Sequence, residues 1–141
     1  MSPSRKERLG IGVVGGGFVA GFHIRSFEAV RNADIRGVVS RTTETATNAA
    51  ALAKELRVGD AKVFDSVAEM VTDPDIDAIW ICSPNFTHVE VMEEIVDTLE
   101  SGQGELIGVC CEKPLGRNVA EARRMAKLVK SAGLLDGYLE N

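Results

Sequence analysis

Gly12-Val13-Val14-Gly15-Gly16-Gly17-Phe18-Val19-Ala20 decides the fold. The apolar run Leu9 to Val14 leads directly into a glycine turn, and apolar residues then recur at helical spacing, which reads as strand, turn and helix. Gly15-x-Gly17-x-x-Ala20 fits the G-x-G-x-x-G/A fingerprint. The first glycine permits the tight turn, the second lets the backbone approach a pyrophosphate, and the small third residue lets helix and strand pack closely. Free N–H groups at Phe18 and Val19, backed by the positive end of the helix dipole, attract phosphate without any Lys or Arg. The following helix is expected to turn Val19, Phe22, Phe27 and Val30 toward the sheet. A glycine turn needed only for positive φ is the competing reading of the motif taken alone.

The chain has 141 residues, 45% of them hydrophobic, which suits one domain with a real core. A net charge of −5 argues against a nucleic-acid partner, for which a basic face is expected. No apolar run reaches the length of a membrane span, and residues 1–8 lack the apolar segment of a signal peptide, so the expected address is the cytoplasm. With Arg5, Lys6, Glu7 and Arg8 and no periodicity, residues 1–8 are expected to form a flexible, solvated tail ahead of a domain spanning 9–141. Cys82, Cys110 and Cys111 sit in apolar runs without C-x-x-C spacing and read as buried thiols, so no metal site is expected.

Along the chain, Ile35 to Val39 predicts a second strand and completes a βαβ unit. A helix near Thr43 to Leu56 puts Ala46, Ala49, Ala50, Ala53 and Leu56 on one face. A short strand at Lys62 to Phe64 precedes Ser66 and Glu69, which match a capping box. Ala78 to Cys82 predicts a fourth strand buried on both faces. The next helix carries Val89, Met92, Ile95, Val96 and Leu99 inward, with Glu90, Glu93, Glu94 and Asp97 facing away. Leu106 to Cys111 is the fifth strand. A helix opening at Asn118 then carries Val119, Ala122, Met125, Ala126 and Val129 inward, and Leu134 to Leu139 is the sixth strand. Alternating strands and helices imply an α/β, Rossmann-type, doubly wound parallel sheet of about six strands in the order 3-2-1-4-5-6.

Ligands of such sheets bind beyond the carboxyl ends of the strands. Four loops therefore gather at one edge: Gly15, Gly16, Gly17, Phe18 and Val19 after strand one, Ser40-Arg41-Thr42 after strand two, Ser83-Pro84-Asn85 after strand four, and Glu112-Lys113-Pro114 after strand five. NAD is usually recognised by an acid at the end of strand two, which contacts the adenine-ribose 2′-OH. Ser40 and Arg41 stand there instead, and an Arg beside hydroxyls suits a 2′-phosphate, which favours NADP over NAD. Arg41 as a solvated charge or an adenine-stacking group remains the alternative.

With these loops placed, residues 9–141 resemble the N-terminal half of the Gfo/Idh/MocA family of NAD(P)-dependent oxidoreductases. The resemblance rests on the glycine motif, on Val39-Ser40-Arg41, on Cys82-Ser83-Pro84-Asn85 with His88 three residues on, and on Cys111-Glu112-Lys113-Pro114-Leu115. It implies that Lys113 is the catalytic residue, helping a proton move at a substrate hydroxyl. An ammonium can stabilise developing alkoxide charge, and partial burial can bring its proton within reach of working pH. The resemblance also implies that Ser83, Pro84 and Asn85 pass the nicotinamide-side ribose and phosphate, with Glu112 beside them. His88 either orients this loop or approaches the site. A cis peptide before Pro114 is common in the family. His23 reads as a core-edge histidine.

The family continues into a second α/β domain that shapes the substrate pocket and often mediates homo-oligomerisation. The expectation is accordingly the cofactor domain of a dehydrogenase for a sugar, polyol or similar small molecule, inactive by itself. A stand-alone NAD(P)-binding or redox-sensing module, and redox-assisted bond cleavage with bound NAD, are the other readings.

Overall fold

A computed structural model describes residues 6–140. Strands β1 (Leu9–Val14), β2 (Ala33–Val39), β3 (Lys62–Val63), β4 (Ala78–Ile81), β5 (Gly108–Glu112) and β6 (Leu135–Leu139) form one sheet. Their order is β3-β2-β1-β4-β5-β6, the order expected, and every pairing is parallel. Helices α1 (Phe18–Ser26), α2 (Thr43–Glu55), α3 (Val67–Thr72), α4 (His88–Glu100) and α5 (Val119–Ser131) connect them.

Alternation along the strands divides the interior into two cores. Ile11, Val13, Ile35 and Val38 join Ala20, Ile24 and Phe27 and the alanine face of α2 on one side of the sheet. Ile79, Ile81 and Val109 join Met70, Met92, Ile95, Met125 and Leu128 from α3, α4 and α5 on the other. The small side chains of α2 let it lie close to the sheet: Ala46, Ala49, Ala50 and Ala53 are buried as predicted, while Leu56 is only half-buried. Full burial of residues such as Ile79 or Met92 contributes about 2–3 kcal/mol each.

Helix starts follow their sequence signals. Thr42, Ser66 and Asn118 accept hydrogen bonds from the N–H groups of Thr45, Glu69 and Glu121. Glu69 does not complete a capping box. Its Oε2 accepts from the N–H of Asp65, one residue before the cap. Glu94, expected to face solvent, instead accepts from the N–H of Ala68 at 3.0 Å and so caps the start of α3 from α4.

Three packing expectations are corrected. On α1 the buried residues are Ala20 and Ile24, with Phe27 in the following 3-10 turn; Val19, Phe22 and Val30 are exposed. The sheet lies beneath the small residue of the fingerprint, and this phase turns Val19 and Phe22 outward. On α5, Val119 and Ala126 are exposed and Leu128 is buried, because the helix rotates Met125, Leu128 and Val129 inward. Strand β4 is fully buried on one face only: Ile79 and Ile81 are enclosed, whereas Ala78 and Trp80 are half-covered. Trp80 packs edge-on against Phe27 with ring centroids 5.8 Å apart.

The expected tail falls partly outside the described residues, at 1–5. Lys6 and Arg8 are exposed but anchored. Lys6 Nζ donates to Asp77 Oδ1 at 2.8 Å, and the other oxygen of this buried carboxylate accepts from the Gly10 N–H at 2.7 Å. Arg8 donates to Asp34 and holds its carboxyl below the usual carboxylate range. Residues 6–8 are thereby pinned at the amino edge of the sheet, away from the four loops.

Candidate dinucleotide site

The glycine turn is threaded between the ends of β4 and β2. Gly15 has φ +118°, in the region that favours glycine, and a Cβ there would come within 2.9 Å of the Cys82 carbonyl. At Gly16 a Cβ would lie 2.8 Å from Ser40 Oγ and from the Thr45 carbonyl oxygen. At Gly17 it would meet nothing within 4 Å. Gly17 is the N-cap of α1, where no side chain caps the helix and no acid occupies the first turn. Phe18 and Val19 are exposed at the start of that turn. Open space directly over uncapped N–H groups fits a bound phosphate, and it is the space that a side chain on Gly17 would fill.

At the end of β2, hydroxyl groups form a short chain. Ser40 Oγ lies 2.7 Å from Thr45 Oγ1, which lies 2.9 Å from Thr42 Oγ1. Arg41 beside them is exposed, and no ion pair among the described residues engages it. The carboxylate that would meet a 2′-OH is absent from this loop.

The ends of β4 and β5 are built differently. Ser83, Pro84 and Asn85 lead through a 3-10 turn into α4, and Thr87 Oγ1 donates to Ser83 Oγ, with the Pro84 carbonyl also at 2.7 Å. His88 is 1% exposed; its Nε2 lies 2.9 Å from the Ser83 carbonyl oxygen, and its Nδ1 lies 3.2 Å from that of Leu115 and 3.3 Å from Cys111 Sγ. Of the two roles expected for His88, orienting this loop or approaching the site, its burial and its contact with the Ser83 carbonyl fit the first. Glu112 is also buried, and its Oε2 is taken by His23 Nε2 at 2.9 Å. Its carboxylate is thus directed at α1. Lys113, next in sequence, is exposed, so these residues do not provide the burial expected around its ammonium. Its N–H donates to the Leu139 carbonyl, and the Lys113–Pro114 peptide is cis.

The profile described as "Oxidoreductase family, NAD-binding Rossmann fold" of the Gfo/Idh/MocA group matches residues 9–137, nearly the whole chain. The chain belongs to the Gfo/Idh/MocA oxidoreductase family. It is 35% identical over 100 residues to 1,5-anhydro-D-fructose reductase of Ensifer adhaerens, covering 71% of this chain and 27% of that protein. It is 31% identical over 125 residues to inositol 2-dehydrogenase of Gluconacetobacter diazotrophicus, covering 89% of this chain and 34% of that protein. Among solved structures it resembles GenD2 from gentamicin A biosynthesis in complex with NAD, at a TM-score of 0.74 and 28% identity, covering 98% of this chain and 37% of that one. The chain therefore spans about a third of the length of the relatives it matches, and what it matches is the Gfo/Idh/MocA nucleotide-binding domain.

The carboxyl edge of this Gfo/Idh/MocA domain brings together all the loops singled out in the sequence, with two departures in detail. The partnership of His23 with Glu112 joins residues 89 positions apart, and no local pattern announces it. Thr45 joins the Ser40 loop through the first turn of α2, a contact that spacing alone does not single out. A hollow of about 430 Å³ between Asp34, Arg36, Lys54, Arg57, Gly59 and Asp60 lies at the opposite edge and is lined by charged side chains. Burial pushes the thiols of Cys82 and Cys111 up to about 12, so both remain protonated. Among the described residues no helix is long and apolar enough to cross a membrane.

Proposed function

We propose that this chain is the cofactor-binding part of an NAD(P)-dependent dehydrogenase acting on a sugar, polyol or similar hydroxylated small molecule, its domain spanning residues 9–141 and joined to a separate substrate domain. The observation that carries the reading is the open space over Gly17 at the uncapped start of α1, on the edge where the four loops meet. The names of relatives, a reductase of 1,5-anhydro-D-fructose and an inositol 2-dehydrogenase, support the substrate class.

Gly15 to Val19 would hold the pyrophosphate, with Ser83, Pro84 and Asn85 beside the nicotinamide half. Ser40 and Arg41 would hold the adenine end. Arg41, which no ion pair among the described residues engages, stands beside hydroxyl groups and favours NADP over NAD, since a 2′-phosphate would complete charge-assisted hydrogen bonds there. When bound, the nicotinamide supplies the hydride acceptor or donor. Lys113 follows β5, across the sheet from Arg41, and so belongs to the reacting end. Its Nζ would donate to the substrate oxygen, stabilise charge developing there and hold the proton that oxygen exchanges.

Calorimetric titration of the chain with NAD, NADH, NADP and NADPH tests the binding reading. Saturable binding of at least one form is expected. Gly17→Val should raise Kd for every form by about 100-fold, or ~2.7 kcal/mol, with unfolding by urea unchanged. No binding by the folded parent would reject the proposal. Where the substrate domain is joined to this chain, Lys113→Met should lower kcat and kcat/KM together while cofactor affinity holds. Turnover near the parental rate would remove Lys113 from the chemistry.

A further inference from the structure

His88 is buried where two segments of the site converge. It opens α4, yet its ring lies between two loops that converge from different strands. Nε2 reaches the Ser83 carbonyl at 2.9 Å, on the loop after β4. On the other edge, Nδ1 faces the Leu115 carbonyl at 3.2 Å and Cys111 Sγ at 3.3 Å, both on the segment that carries Lys113. A carbonyl oxygen can only accept, so the two carbonyls compete for the one proton of the neutral ring; the shorter contact, 2.9 Å at Nε2, takes it, and the Leu115 carbonyl at 3.2 Å then packs beside Nδ1 without a hydrogen bond. The Cys111 S–H has two acceptors within reach, Nδ1 at 3.3 Å and the Glu112 carbonyl at 3.4 Å.

We propose that His88 is a positioning residue: by donating from Nε2 to Ser83 while its Nδ1 edge rests on Cys111 and Leu115, it sets the nicotinamide-side loop at a fixed distance from Lys113. The proposal rests on the dinucleotide reading and deepens it. The ring is 1% exposed, so its effect passes through the backbone of Ser83 and of Leu115. Among the described residues no hydrogen bond links His88 to the glycine turn or to the Ser40 loop, and the adenine half of a cofactor should be insensitive to it.

The two edges of the imidazole can be separated by substitution. A Gln amide places its nitrogen near the position of Nε2, whereas an Asn amide reaches only the Nδ1 position. Binding is measured for the 141-residue chain with each dinucleotide and with the matching fragment lacking nicotinamide, ADP-ribose or its 2′-phosphate. His88→Asn should weaken the dinucleotide by about tenfold, the size of one lost hydrogen bond, and the fragment by less than about twofold. His88→Gln should keep the parental ratio. A general structural role would weaken both ligands equally in His88→Asn, and that result overturns the proposal. So does a folded His88→Gln that has lost the ratio. If neither variant folds, long-range 1H–15N spectra of the parent decide: a proton on Nε2 is required, and an Nδ1-protonated ring with a bare Nε2 refutes the arrangement. A parent that binds neither dinucleotide nor fragment rejects the dinucleotide reading itself, an outcome separate from all of these.

Discussion

The two ends of the candidate site are held by different means. At the adenine end, the loop after β2 is joined by hydroxyl groups, Ser40, Thr42 and Thr45, at or near the surface, and Arg41 beside them is exposed. At the nicotinamide end, the loops after β4 and β5 are held by buried polar groups: His88 between Ser83, Leu115 and Cys111, and Glu112 against His23. Hydroxyl contacts at a surface exchange readily with water, so residues there can change without disturbing the fold. A buried carboxylate cannot lose its partner so cheaply. The end proposed for adenine could therefore change its cofactor preference without cost to the fold, whereas the backbone beside Lys113 is held by buried groups.

The largest effect that would break this contrast is at His23. His23→Ala leaves the Glu112 carboxylate buried without its partner and should destabilise the chain by about 3 kcal/mol, read as a lower urea midpoint with an unchanged slope. A loss within about 0.5 kcal/mol, the range of ordinary surface substitutions, would mean that the nicotinamide end is no more firmly held than the adenine end.

At the adenine end, the expected effects fall on ligands more than on stability. Arg41→Ala should weaken NADP and NADPH by about tenfold, ~1.4 kcal/mol, and NAD and NADH by less than about twofold, measured by titration. Equal losses for the two kinds of cofactor would make Arg41 an adenine-stacking or general electrostatic group. Thr42→Ala removes the α2 cap and one link of the hydroxyl chain, and should cost about 1 kcal/mol of unfolding free energy. The smallest effect is expected from Arg41→Ala on stability, within about 0.5 kcal/mol. A larger change would show that this loop is tied to the core after all.

Much of the architecture was legible because local rules acted alone. The glycine turn, the alternation of strands with helices, and the caps at Ser66 and Asn118 depend on residues close in sequence. Helix phase was less legible where an apolar side chain lay near a boundary. Phe22 and Val19 are as apolar as Ile24, but α1 meets the sheet through Ala20, and that one contact rotates them outward. Val119 is turned out in the same way by the seating of Met125 and Val129. The strand-end loops could be placed on one edge from the parallel order alone, whereas the direction of each side chain within them could not.

By itself, the sequence determined the doubly wound sheet, its strand order, the glycine turn and the family, because hydrophobic period and glycine placement are properties of short stretches. Only the tertiary structure decided what Glu112 and His88 do. Both stand in motifs that suggest contact with a ligand, but packing buries them, and a buried polar group must take its partner from whatever other segment the fold delivers. For Glu112 that partner is His23, 89 residues earlier, and for His88 the partners are Ser83, Cys111 and Leu115. Such contacts depend on how strands and helices are brought together in three dimensions, which no spacing along the chain encodes.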